Sequence, residues 1–287
     1  MSQVPLQPQR SKLQGEAGPL ALYDWPLPDS HAKAALGTVV LVHGLGEHAG
    51  RYHALAAHLR SWGFIVRAYD QQGHGQSAGA RGDMLHPGSL QADLGHVIDD
   101  TRQRPVCADL PLVLLGHSMG GLVVARALAE QLRYVDAAVL SSPALGASPT
   151  ALQKLLLATL PRLAPHLCVD NGLDANRVAR DAQVVQAYKA DPLVHRRISA
   201  GLAAWIVAQG QRTVAEAAGW AVPTLLLYAG DDHLVHAPAS TAFAHSTPAT
   251  LVQAHCFEAM YHEVFNDPER DQVFAVLKAW LLARFAA

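Results

Sequence analysis

Four short runs in the first half of the chain are apolar at nearly every position: Thr38–His43, Phe64–Tyr69, Leu112–His117 and Ala137–Ser141. A strand that buries one face alternates apolar and polar residues. A strand apolar throughout is covered on both faces, as in parallel sheets. Between these runs lie longer Ala- and Leu-rich stretches of helical spacing, at Arg51–Trp62, Ser89–Thr101 and Gly120–Gln131. Strand and helix alternate, which predicts an α/β fold with a mostly parallel, doubly wound sheet. The pattern resumes at Thr224–Ala229 and Leu251–Phe257, and an amphipathic helix over Asp271–Phe285 closes it.

From about Ser148 to Ala221 the alternation stops. This stretch reads as several helices punctuated by Pro161, Pro165 and Asp191-Pro192, with no convincing strand. It is far longer than an ordinary connection of about 2–6 residues plus a helix. An inserted helical cap is the expectation. The chain then divides into a first core part at 1–147, the cap at 148–221 and a second core part at 222–287. No internal repeat is found.

Composition narrows the function classes. Half of the residues are apolar and 16% are charged, against roughly 25% charged in an average soluble protein. Such a chain buries a sizeable core, which excludes disorder. The net charge of −2 comes without any basic block, so nucleic acid is dropped as a partner. Cys107, Cys168 and Cys256 are odd in number, far apart and in no C-x-x-C spacing, so neither a disulfide framework nor a metal site is predicted. Met1–Leu13 is polar and lacks the apolar stretch of a signal peptide. No window is long and apolar enough to span a bilayer. A soluble, cytoplasmic protein is the expectation.

The sharpest chemical signal is Gly116-His117-Ser118-Met119-Gly120, closing one strand and opening a helix. G-x-S-x-G in that context is a nucleophile elbow, where the serine takes a strained backbone and side chains two residues away would clash. A Gly-rich phosphate loop is the bland alternative, but it wants G-x-G-x-x-G. A serine needs a base, and the base an orienting carboxylate, in the chain order Ser, Asp or Glu, then His. Asp232 follows the strand Thr224–Ala229, at the carboxyl end where active-site groups of open sheets collect. Its neighbour Asp231 competes, and His233 beside it reads as structural. Sixteen histidines make the base harder to choose. Only His255 and His262 lie near the last strand; His255 falls inside it, so His262 is the base by position. Two donors must face the developing oxyanion. One is the Met119 N–H. The other is expected from His43-Gly-Leu-Gly-Glu-His48, whose two glycines let the backbone bend towards the serine, with the Leu45 N–H as donor.

Taken together, His43-Gly-Leu-Gly-Glu-His-Ala-Gly-Arg-Tyr52, Tyr69-Asp-Gln-Gln-Gly-His-Gly-Gln-Ser77, Gly116-His-Ser-Met-Gly-Gly121 and Asp191-Pro-Leu-Val194 resemble the monoacylglycerol lipase and lysophospholipase family of α/β-hydrolases. The resemblance runs from about Leu20 to the C-terminus. It implies the α/β-hydrolase fold, a triad of Ser118, Asp232 and His262, and oxyanion donors at Leu45 and Met119. It further implies that Glu47, Arg51, His117 and Tyr188 surround the glycerol end of the substrate. Some members carry a second histidine three residues after the catalytic one; here that position is Phe265, which leaves a broader esterase as an alternative.

The segment Ala151–Cys168 adds an argument about substrate. It carries seven leucines and only Lys154 and Arg162 as charges. A helix apolar over most of its surface is either buried or faces something greasy. Packing on the core and lining an acyl groove are equally good readings, and Leu156 and Leu160 are the groove candidates. The expected activity is hydrolysis of single-chain lipid esters, without metal or organic cofactor, with transient membrane or micelle contact through the cap. An acyltransferase or cofactor-free peroxidase on the same triad, and a non-catalytic binding protein of the same fold, are the rivals.

Overall fold

The computed structural model describes residues 7–28, 34–146 and 159–286. Among them an eight-stranded sheet runs in the order β1 (Gln9–Gly15), β2 (Gly18–Trp25), β4 (Phe64–Tyr69), β3 (Gly37–Val42), β5 (Leu112–His117), β6 (Ala137–Ser141), β9 (Thr224–Ala229) and β10 (Val252–Phe257). The strands from β4 to β10 are parallel, while β1 and β2 are antiparallel to their neighbours. Each central strand is buried on both sides, and alternate residues feed two separate cores. Val40 and Val42 of β3 join one cluster, Val39 and Leu41 the other. On the first face lie α2 (Ser89–Gln103), α3 (Met119–Ala129), α5 (Ala200–Ala215) and α6 (Ala237–Ser246). On the second lie α1 (His53–Ser61) and α7 (Arg270–Phe285). The continuous apolar runs of the sequence are the direct consequence.

The chain places β4 on one side of β3 and β5 on the other. That reversal opens a crevice above the carboxyl ends of β3 and β5, the switch point where open α/β sheets bind ligands.

The structure differs from the sequence reading in two places. A polar N-terminal stretch forms β1, paired with β2 through a tight connection at Glu16-Ala17, and most of β1 is exposed. The insertion between β6 and β9, read as strandless, holds a small antiparallel pair, β7 (Cys168–Asp170) and β8 (Arg197–Ser199). Three-residue strands held by backbone pairing leave no periodicity to read. The rest of the described insertion includes a helical turn at 159–163, α4 (Ala182–Ala190) and α5. No helix among the described residues is long and apolar enough to cross a membrane.

The insertion is clamped to the core by Arg180, which donates to Asp267 at 2.6 and 2.8 Å. Asp267 is fully buried and Arg180 partly exposed. Arg180→Ala leaves the buried Asp267 carboxylate without its cation, though Oδ1 keeps the Glu269 N–H at 2.9 Å, and should cost about 2–3 kcal/mol, below the usual range for a broken buried pair because the arginine is partly exposed. Urea unfolding of the two proteins measures it; a loss under about 0.5 kcal/mol, the size of an ordinary surface change, would mean the clamp carries no stability.

Candidate active site

β5 ends at His117, and Ser118 takes φ 53° and ψ −120° as α3 begins. An L-residue adopts positive φ only under constraint. Ser118 N–H donates to Ser141 O of β6 at 3.0 Å, and its own carbonyl accepts from Leu122 N–H at 3.1 Å and Ala144 N–H at 3.0 Å. The glycines make the room. A Cβ on Gly116 would stand 2.5 Å from the Gly120 carbonyl oxygen, and one on Gly120 would run into the carbonyl oxygens of Val42 and His43.

The loop His43–His48 leaves β3 beside this elbow. A Cβ on Gly44 would lie 3.2 Å from Ser118 Cβ, so glycine allows the close approach. Glu47 Oε1 pins the loop by accepting from Gly44 N–H at 2.6 Å and from the Tyr52 hydroxyl at 2.7 Å. His43 braces the other side: its Nε2 accepts from Gln71 N–H at 2.9 Å, which leaves Nδ1–H to donate to Gly44 O at 2.8 Å. Burial lowers the His43 pKa and keeps it neutral. Gly46 does something its spacing did not suggest. At φ 76° it faces the insertion, its carbonyl accepts from His195 N–H at 2.8 Å, and a Cβ there would stand 2.5 Å from His195 O. The Asp191-Pro-Leu-Val194 motif docks on the same loop, with Asp191 Oδ2 and His48 Nε2 2.9 Å apart.

Asp232 and His262 come from the loops after β9 and β10. Asp232 Oδ2 meets His262 Nδ1 at 2.7 Å, and its Oδ1 accepts from Leu234 N–H at 2.9 Å and Val235 N–H at 3.0 Å. Asp231 turns outward to His233, 3.1 Å away at the surface. His255 lies within β10, where it accepts from Gln253 Nε2 at 2.7 Å. Burial pulls the His262 pKa down, but the charge and hydrogen bond of Asp232 outweigh it, and the net shift is upward from 6.5. Asp232 moves the opposite way: burial favours its neutral form, yet the imidazole and the two amides hold its pKa below the usual carboxylate value. His117, with its ring 4.7 Å from that of His262, is pushed down to about 4 by burial and then by its neighbour's charge.

These groups open onto one cavity of about 380 Å³, lined at its inner end by Leu45, Ser118, Met119 and His262. Its walls are mainly apolar, among them Leu160, Leu173, Val178, Ile206 and Leu234. Leu156 lies outside the described residues. Glu47, His117 and Tyr188 line the cavity too, whereas Arg51 lines a separate chamber of about 20 Å³ behind it, with Tyr52 and Phe265. Sequence reasoning passed over Glu263. It faces the cavity, and both of its oxygens accept from Arg51, at 2.7 and 2.9 Å. Glu47 Oε2 accepts from the same guanidinium, which also stacks 4.7 Å from the Tyr188 ring centroid. No local pattern announces Glu263, because its partner sits 212 residues away. Among the described residues no group of three or more His, Cys, Asp or Glu is arranged to hold a metal ion.

A serine on a strained strand-to-helix turn, with a His–Asp pair opening on the same cavity at the switch point of the sheet, defines a serine hydrolase of the α/β-hydrolase fold. The chain belongs to the monoacylglycerol lipase and lysophospholipase family of these hydrolases: the family model described as serine aminopeptidase, S33, matches residues 33–269. It is 36% identical over 279 residues to a monoacylglycerol lipase of Mycolicibacterium smegmatis, covering 94% of this chain and 95% of that protein. It is 33% identical to phospholipase YtpA of Bacillus subtilis, covering 87% of this chain and 96% of the other. The crystal structure of a Paleococcus ferrophilus monoacylglycerol lipase superposes with a TM-score of 0.81 at 33% identity, over 92% of this chain and 99% of that one.

A general base must be neutral to accept a proton, and the His262 pKa is raised. Ester hydrolysis, measured as kcat/KM, should therefore fall as pH drops through a midpoint above the ordinary 6.5. Asp232→Asn removes the raising charge, so the midpoint should move to lower pH and the rate should drop about 10⁴-fold, the loss seen for the same change in a serine protease triad. Asp231→Asn should leave both nearly unchanged. The pH profiles of the three proteins check this, and an unmoved midpoint in Asp232→Asn would remove the pair from catalysis.

Proposed function

We propose that the protein hydrolyses esters of single-chain lipids, monoacylglycerols first and lysophospholipids second, through an acyl-enzyme. The observation that supports this best is the single cavity in which Ser118 and His262 meet a long apolar wall. The relatives named as monoacylglycerol lipases agree with it.

Ser118 Oγ attacks the ester carbonyl while His262 takes its proton. Asp232 holds the imidazole with Nδ1–H towards the carboxylate and Nε2 free to act. The N–H groups of Leu45 and Met119 receive the oxyanion. His262 then gives its proton to the departing alcohol, and later activates the water that releases the fatty acid. No metal or organic cofactor takes part. The segment 148–221 acts as the cap. Its residues Leu160, Val178 and Ile206 hold the acyl chain, while Glu47, Arg51, His117 and Tyr188 shape the leaving-group end. Leu163, 82% exposed, and the half-exposed Leu167 and Val169, which also line the cavity, suit transient contact with a micelle or membrane.

A second reading, a broader carboxylesterase, is favoured by Phe265. Its ring is buried against Phe274, 5.6 Å between centroids, and offers a glycerol hydroxyl no hydrogen bond.

The decisive experiment is hydrolysis of a saturated ester series by the wild type and two variants. Ser118→Ala should lose about 10⁴–10⁶ in kcat and all labelling by a fluorophosphonate probe, while staying folded. Each methylene moved from water to an apolar groove contributes up to about 0.8 kcal/mol, close to fourfold in kcat/KM. Activity should therefore climb from acetate esters towards medium chains. Leu160→Asp sets an unpaired carboxylate in the groove, and should lower activity on long chains far more than on acetates. An unchanged ratio would mean that Leu160 only packs, and would overturn the acyl-groove assignment.

A further inference from the structure

Among the described residues no lysine or arginine lines the cavity that holds Ser118, whereas Glu47, Asp170 and Glu263 all do. Asp170, towards the outer end, is neutralised by Arg196 at 3.0 and 3.1 Å. At the inner end, beside His117 and His262, two carboxylates show their faces and one guanidinium stands behind them. Arg51 is occupied along its edge by Glu47 and Glu263 and on one face by the Tyr188 ring. It opens only onto the chamber of about 20 Å³, room for one water. An anionic group entering from the main cavity meets the carboxylates and cannot reach the arginine without breaking its bonds to them.

The balance of charge points the same way. Arg51 holds the Glu47 pKa down to about 2 against the cost of burial, so Glu47 is ionised. Asp232 is ionised behind His262, and His117 is neutral. With His262 also neutral before attack, three carboxylates stand against one guanidinium, in a buried setting where water screens little. Like-charge juxtaposition of this kind is how sites reject a wrong partner.

We propose that the leaving-group end of the cavity is a charge filter, accepting esters of uncharged alcohols and excluding those whose leaving group carries a phosphate or carboxylate, with Glu263 as the residue that sets it. The proposal rests on the ester-hydrolase reading above and narrows it: monoacylglycerol fits the site, and lysophospholipid, the second substrate of that reading, is excluded because its leaving group carries a phosphate. Glu263 is a specificity residue rather than a catalytic one. It acts by presenting negative charge and by fixing Arg51 out of reach, and Asn266 Nδ2 holds its Oε2 in place at 2.8 Å.

The test compares o-nitrophenyl octanoate with 4-nitro-3-(octanoyloxy)benzoate, two octanoyl esters whose o-nitrophenol leaving groups differ by a carboxylate. Each enzymatic kcat/KM is divided by the ester's own hydroxide rate constant. Wild type should favour the uncharged ester by at least tenfold after this correction. Glu263→Gln should shrink that preference at least fivefold by raising the relative rate on the anionic ester. Glu263→Asp, which keeps the charge, should hold the preference within about twofold of wild type. A corrected preference near one in wild type overturns the filter without any variant. A Glu263→Gln protein that loses both rates in proportion also overturns it, since a merely structural glutamate would behave that way. The aryl pair needs no lipid substrate. Cleavage of both aryl esters in the expected order, with no cleavage of monooctanoylglycerol, would support the filter and overturn the lipid reading alone.

Discussion

The active-site end of the molecule is organised around one backbone constraint, the positive φ of Ser118. Such a conformation costs of the order of 1–3 kcal/mol and persists only where its surroundings over-determine it. Here the surroundings are backbone: β6 through Ser141, the first turn of α3 through Leu122, and the chain after β6 through Ala144. For these elements to converge, Gly116, Gly120 and Gly121 must carry no side chain, since Cβ atoms there would meet carbonyl oxygens or Pro143. The same closeness brings the end of β3 against α3. The loop His43–His48 therefore starts within reach of the serine, and Gly44 completes the approach. One strained residue thus fixes both its own hydroxyl at the cavity and the loop beside it.

Around that constraint the charges are sorted by environment. His117 and His262 are in ring contact, yet burial drives one towards permanent neutrality while Asp232 makes the other more basic. Pairs of titratable groups pushed apart in this way mark which member handles protons. His117 instead meets the Ser141 hydroxyl at 3.2 Å and forms wall. Glu47 works in a third way: its oxygens are spent on Gly44 N–H, Tyr52 and Arg51, so its charge shapes the loop as well as the field.

What the sequence disclosed follows from what is local in it. The parallel sheet was legible because strands buried on both faces read as unbroken apolar runs, and the elbow because its steric demands fall on adjacent residues. The β1–β2 hairpin was not, since most of β1 faces water and carries no apolar signature. The β7–β8 pair was too short to have a period. The choice between Asp231 and Asp232 turned on loop direction, which the structure supplies by turning one outward and the other towards His262. Glu263 was invisible for a different reason. It follows His262 in sequence, but its meaning comes from an arginine near the other end of the chain.

The motifs that carry the family resemblance do more than form the reacting centre, because half of them hold the insertion to it. Gly46 receives His195, His48 receives Asp191, and the Glu263 N–H donates to Val178 O at 2.8 Å. Val178 in turn lines the apolar wall, and Tyr188 of α4 rests on Arg51. The insertion, with Val178 of the apolar wall, is thus bonded directly to the His43–His48 loop and to the loop after β10. A displacement of the insertion cannot occur without disturbing those loops. Binding energy gathered along the apolar wall is therefore coupled to the geometry at Ser118, which is the condition for remote contacts to raise kcat rather than merely lower KM.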